Sequence, residues 1–279
     1  MSITTPITFV VAVGDEAILE NNFLASPCLA AGHTHQVLIQ RGFKSAAVAY
    51  NDAIARSAND LIVFAHSDML FPKSWLSDLG RALDSLEATD PCWGVLGCYG
   101  VTLERKFSGY LYSNGQGFCG APFEVPTPVQ TLDEIILIIR KSSGLRFDER
   151  LPHFHLYGAD ICLRAAQKQM TSYAISAFCV HNTHRNLILA DDFYACYRRF
   201  KKIWKGYLPV QTSCVRVTKF DLYMYQRKLW EAYLRYIRGL ESTAVRAEKP
   251  HALLDQVNER LNSGESLCYE GDRLSVCQQ

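Results

Sequence analysis

The chain has 279 residues, 48% of them hydrophobic and 20% charged, the make-up of ordinary globular protein with enough apolar material for a sizeable core. Its formal net charge is +1, which excludes recruitment of nucleic acid by an overall field; any electrostatic role must be local. No stretch approaches the roughly 20 apolar residues that a membrane-spanning helix needs.

The opening "MSITTPITFVVAVGDE" has no basic region ahead of its short apolar run, so no signal peptide is expected. Ten cysteines stand singly with no C-x-x-C, several in apolar runs such as "WGVLGC" and "SAFCVH". There cysteine behaves as a small hydrophobe, and the pattern predicts a reduced, cytoplasmic protein rather than a disulfide framework.

In chain order, "ITFVVAV" (7–13) is a β-branched run ended by Gly14, a buried strand, and "HQVLIQRG" (35–42) predicts a second. "SAAVAYNDAIARSA" (45–58) opens on a serine and spaces Ala, Val and Ile as a helix does. "DLIVFAH" (60–66) is a third strand. "FPKSWLSDLGRALDSLEA" (71–88) predicts a helix with Pro72 in its first turn and a stripe of Trp75, Leu79, Leu83 and Leu86. "CWGVLGCYG" (92–100) is a fourth strand, and 101–128 has the Gly, Ser, Tyr and Pro of hairpins and loops. A strand over 128–142, a helix over 158–168 that opens near Asp160, and a strand over 171–184 follow. After residue 187 long aromatic, basic helices take over, and the last dozen residues look frayed.

Strands alternating with helices predict an α/β domain with a mostly parallel sheet. In such sheets ligands bind beyond the carboxyl ends of the strands. His66, Ser67 and Asp68 follow five apolar residues at one such end, and His181 leaves another strand. Asp133 and Glu134 enter one. Taken singly, each acid also fits a turn or helix cap.

Two stretches, "YNDAIARSANDLIVFAHSDMLFPKSWLSDL" and "FDERLPHFHLYGADICLRAAQKQMTSYAISAFCVHNTH", resemble the donor and acceptor halves of nucleotide-sugar glycosyltransferases of the GT-A fold, in the family-2-like group. The resemblance covers roughly residues 6 to 185. It implies a GT-A, Rossmann-like sheet flanked by helices over 1–187, with a helical extension over 188–279. It implies an inverting hexosyl transfer from a nucleoside-diphosphate sugar to the hydroxyl of a glycan or glycoconjugate, assisted by Mn²⁺ or Mg²⁺. By the same resemblance Asp68 and His181 hold the metal and Asp160 is the general base. Val13, Gly14, Asp15, Lys44, Ser45, Asn51 and His66 contact the donor. His66 stands where the family's D-x-D motif has its first Asp, a departure that leaves the metal's identity open. A divalent cation there would neutralise the departing diphosphate.

Two other readings use the same residues. His66, Asp68 and a distant His181, with Arg185 nearby, have the form of the 2-His-1-carboxylate set of non-haem Fe(II) oxygenases, which are built on jelly rolls. The missing first Asp also fits a nucleotide-sugar-binding protein without turnover. His153 and His155 in "HFH" would share one face of an extended segment, a candidate zinc pair. "YRRFKKIWKGY" (197–207) is a candidate peripheral membrane contact, or else a helix whose aromatics pack on the domain.

Overall fold

The computed structural model describes residues 6–30, 32–185, 188–240 and 244–264. The expected boundary after residue 187 and the expected frayed tail lie outside the described residues. So does the side chain of Arg185.

The centre is a seven-stranded sheet. Its strands are β1 (Thr8–Val13), β2 (Gln36–Arg41), β3 (Leu61–His66), β4 (Leu96–Gly97), β5 (Thr127–Val129), β6 (Ile136–Arg140) and β7 (Ser172–Ala174). They lie in the spatial order β2, β1, β3, β6, β4, β7, β5. β1 pairs parallel with β2 and β3, and β4 with β7, whereas β6 and β5 run against their neighbours. Helices α1 (Glu16–Asn21), α2 (Ala46–Arg56), α3 (Trp75–Thr89) and α4 (Tyr157–Gln167) cover the sheet. They are followed by α5 (Asp191–Ile203), α6 (Leu222–Arg238) and α7 (Pro250–Asn262). The expected α/β class is what the chain forms.

The unbroken apolar run of β3 is explained by burial on both faces. Ile62 and Phe64 enter one core with Tyr50, Phe147 and Tyr157, while Val63 and Ala65 enter the other with Phe71, Trp75 and Leu79. The first core continues into α5 through Phe193, Tyr197 and Phe200 and into α6 through Met224, whereas α7 packs in a separate cluster. Trp75, Leu79 and Leu86 are buried as the stripe predicts, although α3 starts at Trp75 rather than at Pro72. α1 had no expectation behind it, whereas α7 falls in the stretch where the resemblance implied a helical extension.

Three expected strands break. The stretch 92–100 gives only β4 and, one residue on, Tyr99–Val101, which joins a different sheet. The stretch 128–142 gives β5, a short strand Thr131–Leu132 and β6, because the acids at 133 and 134 interrupt the run. The stretch 171–184 gives β7, then Val180–His181 and His184–Arg185. Val180–His181 joins a second sheet, parallel to Phe107–Ser113 and antiparallel to Met69–Leu70. The hairpin expected in 101–128 is Phe107–Ser113 paired with Gly117–Gly120. Among the described residues no helix is long and apolar enough to cross a membrane.

Candidate active site

β3 delivers His66 at its last position, and the chain turns through Ser67 and Asp68 into Met69–Leu70. That strand pairs His181 directly opposite Met69, and the Asn182 N–H donates to the Asp68 carbonyl at 2.9 Å. Strand pairing across more than a hundred residues thus brings the two expected metal ligands together. One ligand atom each from His66, Asp68 and His181 lie within 4.8 Å of one another. His66, expected as a donor contact, therefore lies geometrically with the two expected metal ligands, in a group that could hold an ion.

Asp68 is only 6% exposed. Its Oδ1 lies 3.5 Å from His181 Nε2, and its Oδ2 accepts a hydrogen bond from Thr183 and lies 3.5 Å from Arg246 Nε. Burial pushes its pKa up, but His181, His66 and Thr183 together outweigh burial and hold the carboxyl well below the usual range. It is an anion kept ionised by its neighbours.

His66 Nε2 is 3.0 Å from the Tyr157 hydroxyl, which donates to the Glu134 carbonyl at 3.1 Å. The His66 backbone N–H donates to the Ile135 carbonyl at 3.1 Å, so the entry to β6 runs beside the end of β3. These residues line a cavity of about 390 Å³, within the ~300–1,000 Å³ range of small-molecule sites. Asp133, Glu134, His155, Asp192, Arg227 and Arg246 line it too.

Glu134 is half-buried. Burial, helped by the nearby Cys214 and Asp133, raises its pKa well above that of an ordinary glutamate, against the opposing pull of the Leu156 and Gly158 amides. Those amides belong to the start of α4. Gly158 makes the approach feasible, since a Cβ there would stand 2.7 Å from Leu132 O and 3.1 Å from Glu134 Cγ. Asp133 is held differently: Oδ1 accepts from the Ile135 N–H and Oδ2 from Ser213 at 2.5 Å.

The resemblance makes Asp160 the general base. Its side chain is fully buried and does not line the cavity. Oδ1 accepts from Trp204 Nε1 at 2.8 Å, and Oδ2 accepts from Arg164 Nε at 2.8 Å and the Asp148 N–H at 3.3 Å. Asp148 in turn pairs with Arg164 and Arg150. Burial raises the Asp160 pKa in spite of Arg164 and Trp204. With its oxygens engaged and no opening to the cavity, Asp160 ties α4 to the end of α5.

The expected donor contacts are also outside the cavity lining, apart from His66. Asp15 caps α1, accepting from the Ala17 and Ile18 N–H groups at 2.9 and 3.3 Å. Ser45 caps α2 through the Val48 N–H. Asn51 spends both ends of its amide on Phe147, donating to its carbonyl at 2.9 Å and accepting from its N–H at 3.0 Å. Lys44 is exposed, and Val13 ends β1 and Gly14 follows it, one and two residues beyond the cavity-lining Ala12. A side chain on Gly14 would meet nothing within 4 Å, so the surface there is open.

The candidate zinc pair does not form. His153 has a left-handed backbone (φ +55°) and is exposed, which breaks the extended geometry, while His155 turns into the cavity 3.3 Å from Asp192. In the 197–207 stretch Tyr197, Phe200 and Trp204 are buried, leaving Tyr207 as its exposed aromatic. This favours the packing alternative over a membrane contact there. Sequence reasoning missed Tyr157, Thr183 and Arg246. Tyr157 lies in the "LYGAD" segment that carries part of the resemblance, but Arg246 comes from a stretch with no motif at all.

No family model matches the chain. A curated relative from Fuscovulum blasticum, named "ATP synthase subunits region ORF 6", is 26% identical over 170 residues, covering 57% of this chain. The chain spans 66% of that relative's length, just under two thirds. Among solved structures, S. aureus TarS in complex with UDP is similar at 12% identity with a TM-score of 0.45, over 83% of this chain and 72% of that one. The mannosyltransferase PcManGT from Pyrobaculum calidifontis, in complex with GDP-Man and Mn²⁺, is similar at 12% identity with a TM-score of 0.43, over 96% of this chain and 82% of that one.

Proposed function

We propose that the chain is a metal-dependent, inverting glycosyltransferase that uses a nucleotide-activated sugar. The observation that carries this reading is the cluster of His66, Asp68 and His181 within 4.8 Å at the carboxyl end of β3, on the wall of an open cavity in an α/β fold. It agrees with the resemblance of the two sequence stretches that supply these residues.

The donor set fits a divalent cation: one carboxylate held ionised and two imidazoles. Imidazole favours borderline metals, and Mg²⁺ prefers oxygen, so Mn²⁺ suits this set better than Mg²⁺. When bound, such an ion would act as a Lewis acid toward a diphosphate. The Arg246 guanidinium, beside Asp68, adds a fixed positive charge suited to the same phosphates. Tyr157 orients the His66 ring by its hydroxyl. The nucleotide lies beyond the ends of β1 and β3, over Val13 and Gly14, where the backbone is open.

In this reading Glu134 replaces Asp160 as the general base. It faces the cavity, and its raised pKa makes it the stronger proton acceptor while the helix amides still support the ionised form. It would take the proton from an acceptor hydroxyl as that oxygen attacks the anomeric carbon, which inverts the centre in one displacement.

A screen of nucleotide sugars by thermal shift, with and without Mn²⁺, tests the reading. Stabilisation of about 2.7 kcal/mol is expected at 100-fold over Kd. Metal-dependent stabilisation that is lost in Asp68→Ala supports it, and no response to any nucleotide sugar overturns it. The same three ligands also match the 2-His-1-carboxylate set. Oxygen consumption with Fe(II) and a 2-oxo acid, in the absence of nucleotide-sugar binding, would favour that second reading, although the α/β scaffold is not a jelly roll.

A further inference from the structure

Residues 181–183 serve two sides of the chain at once. His181 and Thr183 both reach the Asp68 carboxylate. Alternation along an extended segment sends Asn182, between them, to the other face, where it is fully buried. Its side-chain amide makes four hydrogen bonds, the full capacity of the group. Nδ2 donates to Asn22 Oδ1 at 2.8 Å and to the Ala247 carbonyl at 3.4 Å. Oδ1 accepts from the Ala247 N–H at 2.9 Å and from Asn114 Nδ2 at 3.3 Å. Toward Ala247 the amide thus takes the place of a peptide unit in a neighbouring strand.

The strand that it extends is short. Ala244–Val245 pairs antiparallel with His184–Arg185, with Val245 opposite His184. Carried two residues on, that register sets Arg246 across from Thr183 and Ala247 across from Asn182. Opposite residues of an antiparallel pair share a face. Arg246 therefore projects to the side of Thr183 and His181, and its Nε stands 3.5 Å from Asp68 Oδ2. That nitrogen is shut off from solvent and makes no hydrogen bond among the described residues, and Arg246 lines the cavity. A guanidinium with unused donors at a cavity wall is suited to a phosphate.

We propose that Asn182 is a positioning residue, which clamps the segment 244–247 at the cavity so that Arg246 is held in place for the diphosphate of the substrate. For the identity of that anion the proposal rests on the reading of the cavity as a nucleoside-diphosphate site. Without the clamp the backbone beside Arg246 is freed, and the guanidinium must be ordered at each binding event, which weakens affinity.

Calorimetric titration of the full chain with inorganic pyrophosphate in Mn²⁺ reads the clamp without any transfer step. Arg246→Gln should raise Kd about tenfold, the scale of a lost bond to a charged group. Asn182→Ala should raise it by a similar factor. The double variant should lose no more than Arg246→Gln alone, because both changes act through one guanidinium, whereas a merely structural role would add. Mn²⁺ by itself should bind each variant no more weakly than the parent, since neither change removes a metal ligand. If Asn182→Ala does not fold, Ala247→Pro deletes the N–H that Asn182 accepts and takes its place in the same cycle. The proposal is overturned if the parent does not bind pyrophosphate, if the two losses add, or if the clamp variant binds as the parent does. It is overturned too if the clamp variant loses Mn²⁺, which would make Asn182 a support of the metal ligands instead. Metal-dependent binding of a nucleotide sugar alongside additive losses would sink the clamp and leave the transferase reading standing. Non-additive losses for pyrophosphate in a chain that binds no nucleotide sugar would do the reverse.

Discussion

Asp68 and Asp160 are both buried carboxylates at the junction of a strand or helix with a turn, and both carry an arginine neighbour, yet their surroundings differ. Asp68 sits on a cavity wall among two imidazoles, and its guanidinium contact is at 3.5 Å. Asp160 gives its oxygens to Trp204, Arg164 and the Asp148 amide, with nothing left for a ligand. Type, burial and chain position are shared. What separates the proposed metal ligand from the acid that ties two helices together is access to the cavity, since both have three polar partners.

The comparison is broken most severely at Asp68. Asp68→Ala should reduce Mn²⁺-dependent nucleotide-sugar binding to background, as chelation by EDTA should in the parent, while the far-UV spectrum is kept. His181→Ala should weaken the metal response less, because a neutral imidazole adds no charge toward a hard cation. Titrating Mn²⁺ against donor binding ranks the two. An equal loss in both would point to a softer metal.

Glu134→Gln sharpens the contrast from the reactive side. Transfer at saturating donor should fall by roughly 10²–10⁴-fold, with donor binding retained. In the parent the rate should fall as pH drops through a carboxyl pKa raised above the ordinary glutamate range, since the base acts ionised. That limb should vanish in the variant. The sign for stability is opposite: a raised folded pKa favours folding below it and costs stability as pH rises through it. Glu134→Gln should therefore raise the melting temperature at neutral pH.

Asp160→Asn is the matching test on the structural side. Asparagine can still accept from Trp204 but loses the charged bond to Arg164, so a loss of about 1.5–3 kcal/mol in unfolding free energy is expected. Transfer per folded molecule should stay near normal. A collapse of transfer without loss of stability would restore Asp160 as the base. The smallest effect is expected at Tyr157→Phe, which frees the His66 ring and the Glu134 carbonyl of one hydroxyl. About 1 kcal/mol is expected, read as weaker metal affinity at unchanged kcat.

Periodicity and end signals carried most of the architecture. The runs 7–13, 35–42 and 60–66 and the helices at 45–58 and 158–168 agree with β1, β2, β3, α2 and α4 to within a residue or two. They were legible because two-sided burial leaves an unbroken apolar run and one-sided burial leaves a 3.6-residue stripe. The long strand expected over 171–184 was not legible as three short ones, because its breaks serve a second sheet. That sheet depends on partners at 69–70 and 107–113.

Of the candidate site, the sequence by itself determined that a polar cluster ends β3: five apolar residues cannot be followed by His66, Ser67 and Asp68 in a buried strand without an opening nearby. It also determined which residue types were present to hold a cation. Only the tertiary structure decided which of them meet. The pairing of His181 opposite Met69 placed it beside Asp68, and β6 passing His66 put Glu134 rather than Asp160 at the cavity. Trp204 and Arg246 arrive from more than forty residues beyond the acids they contact. Local periodicity records how a segment is buried, whereas ligand geometry depends on contacts between distant segments, and no single stretch encodes those.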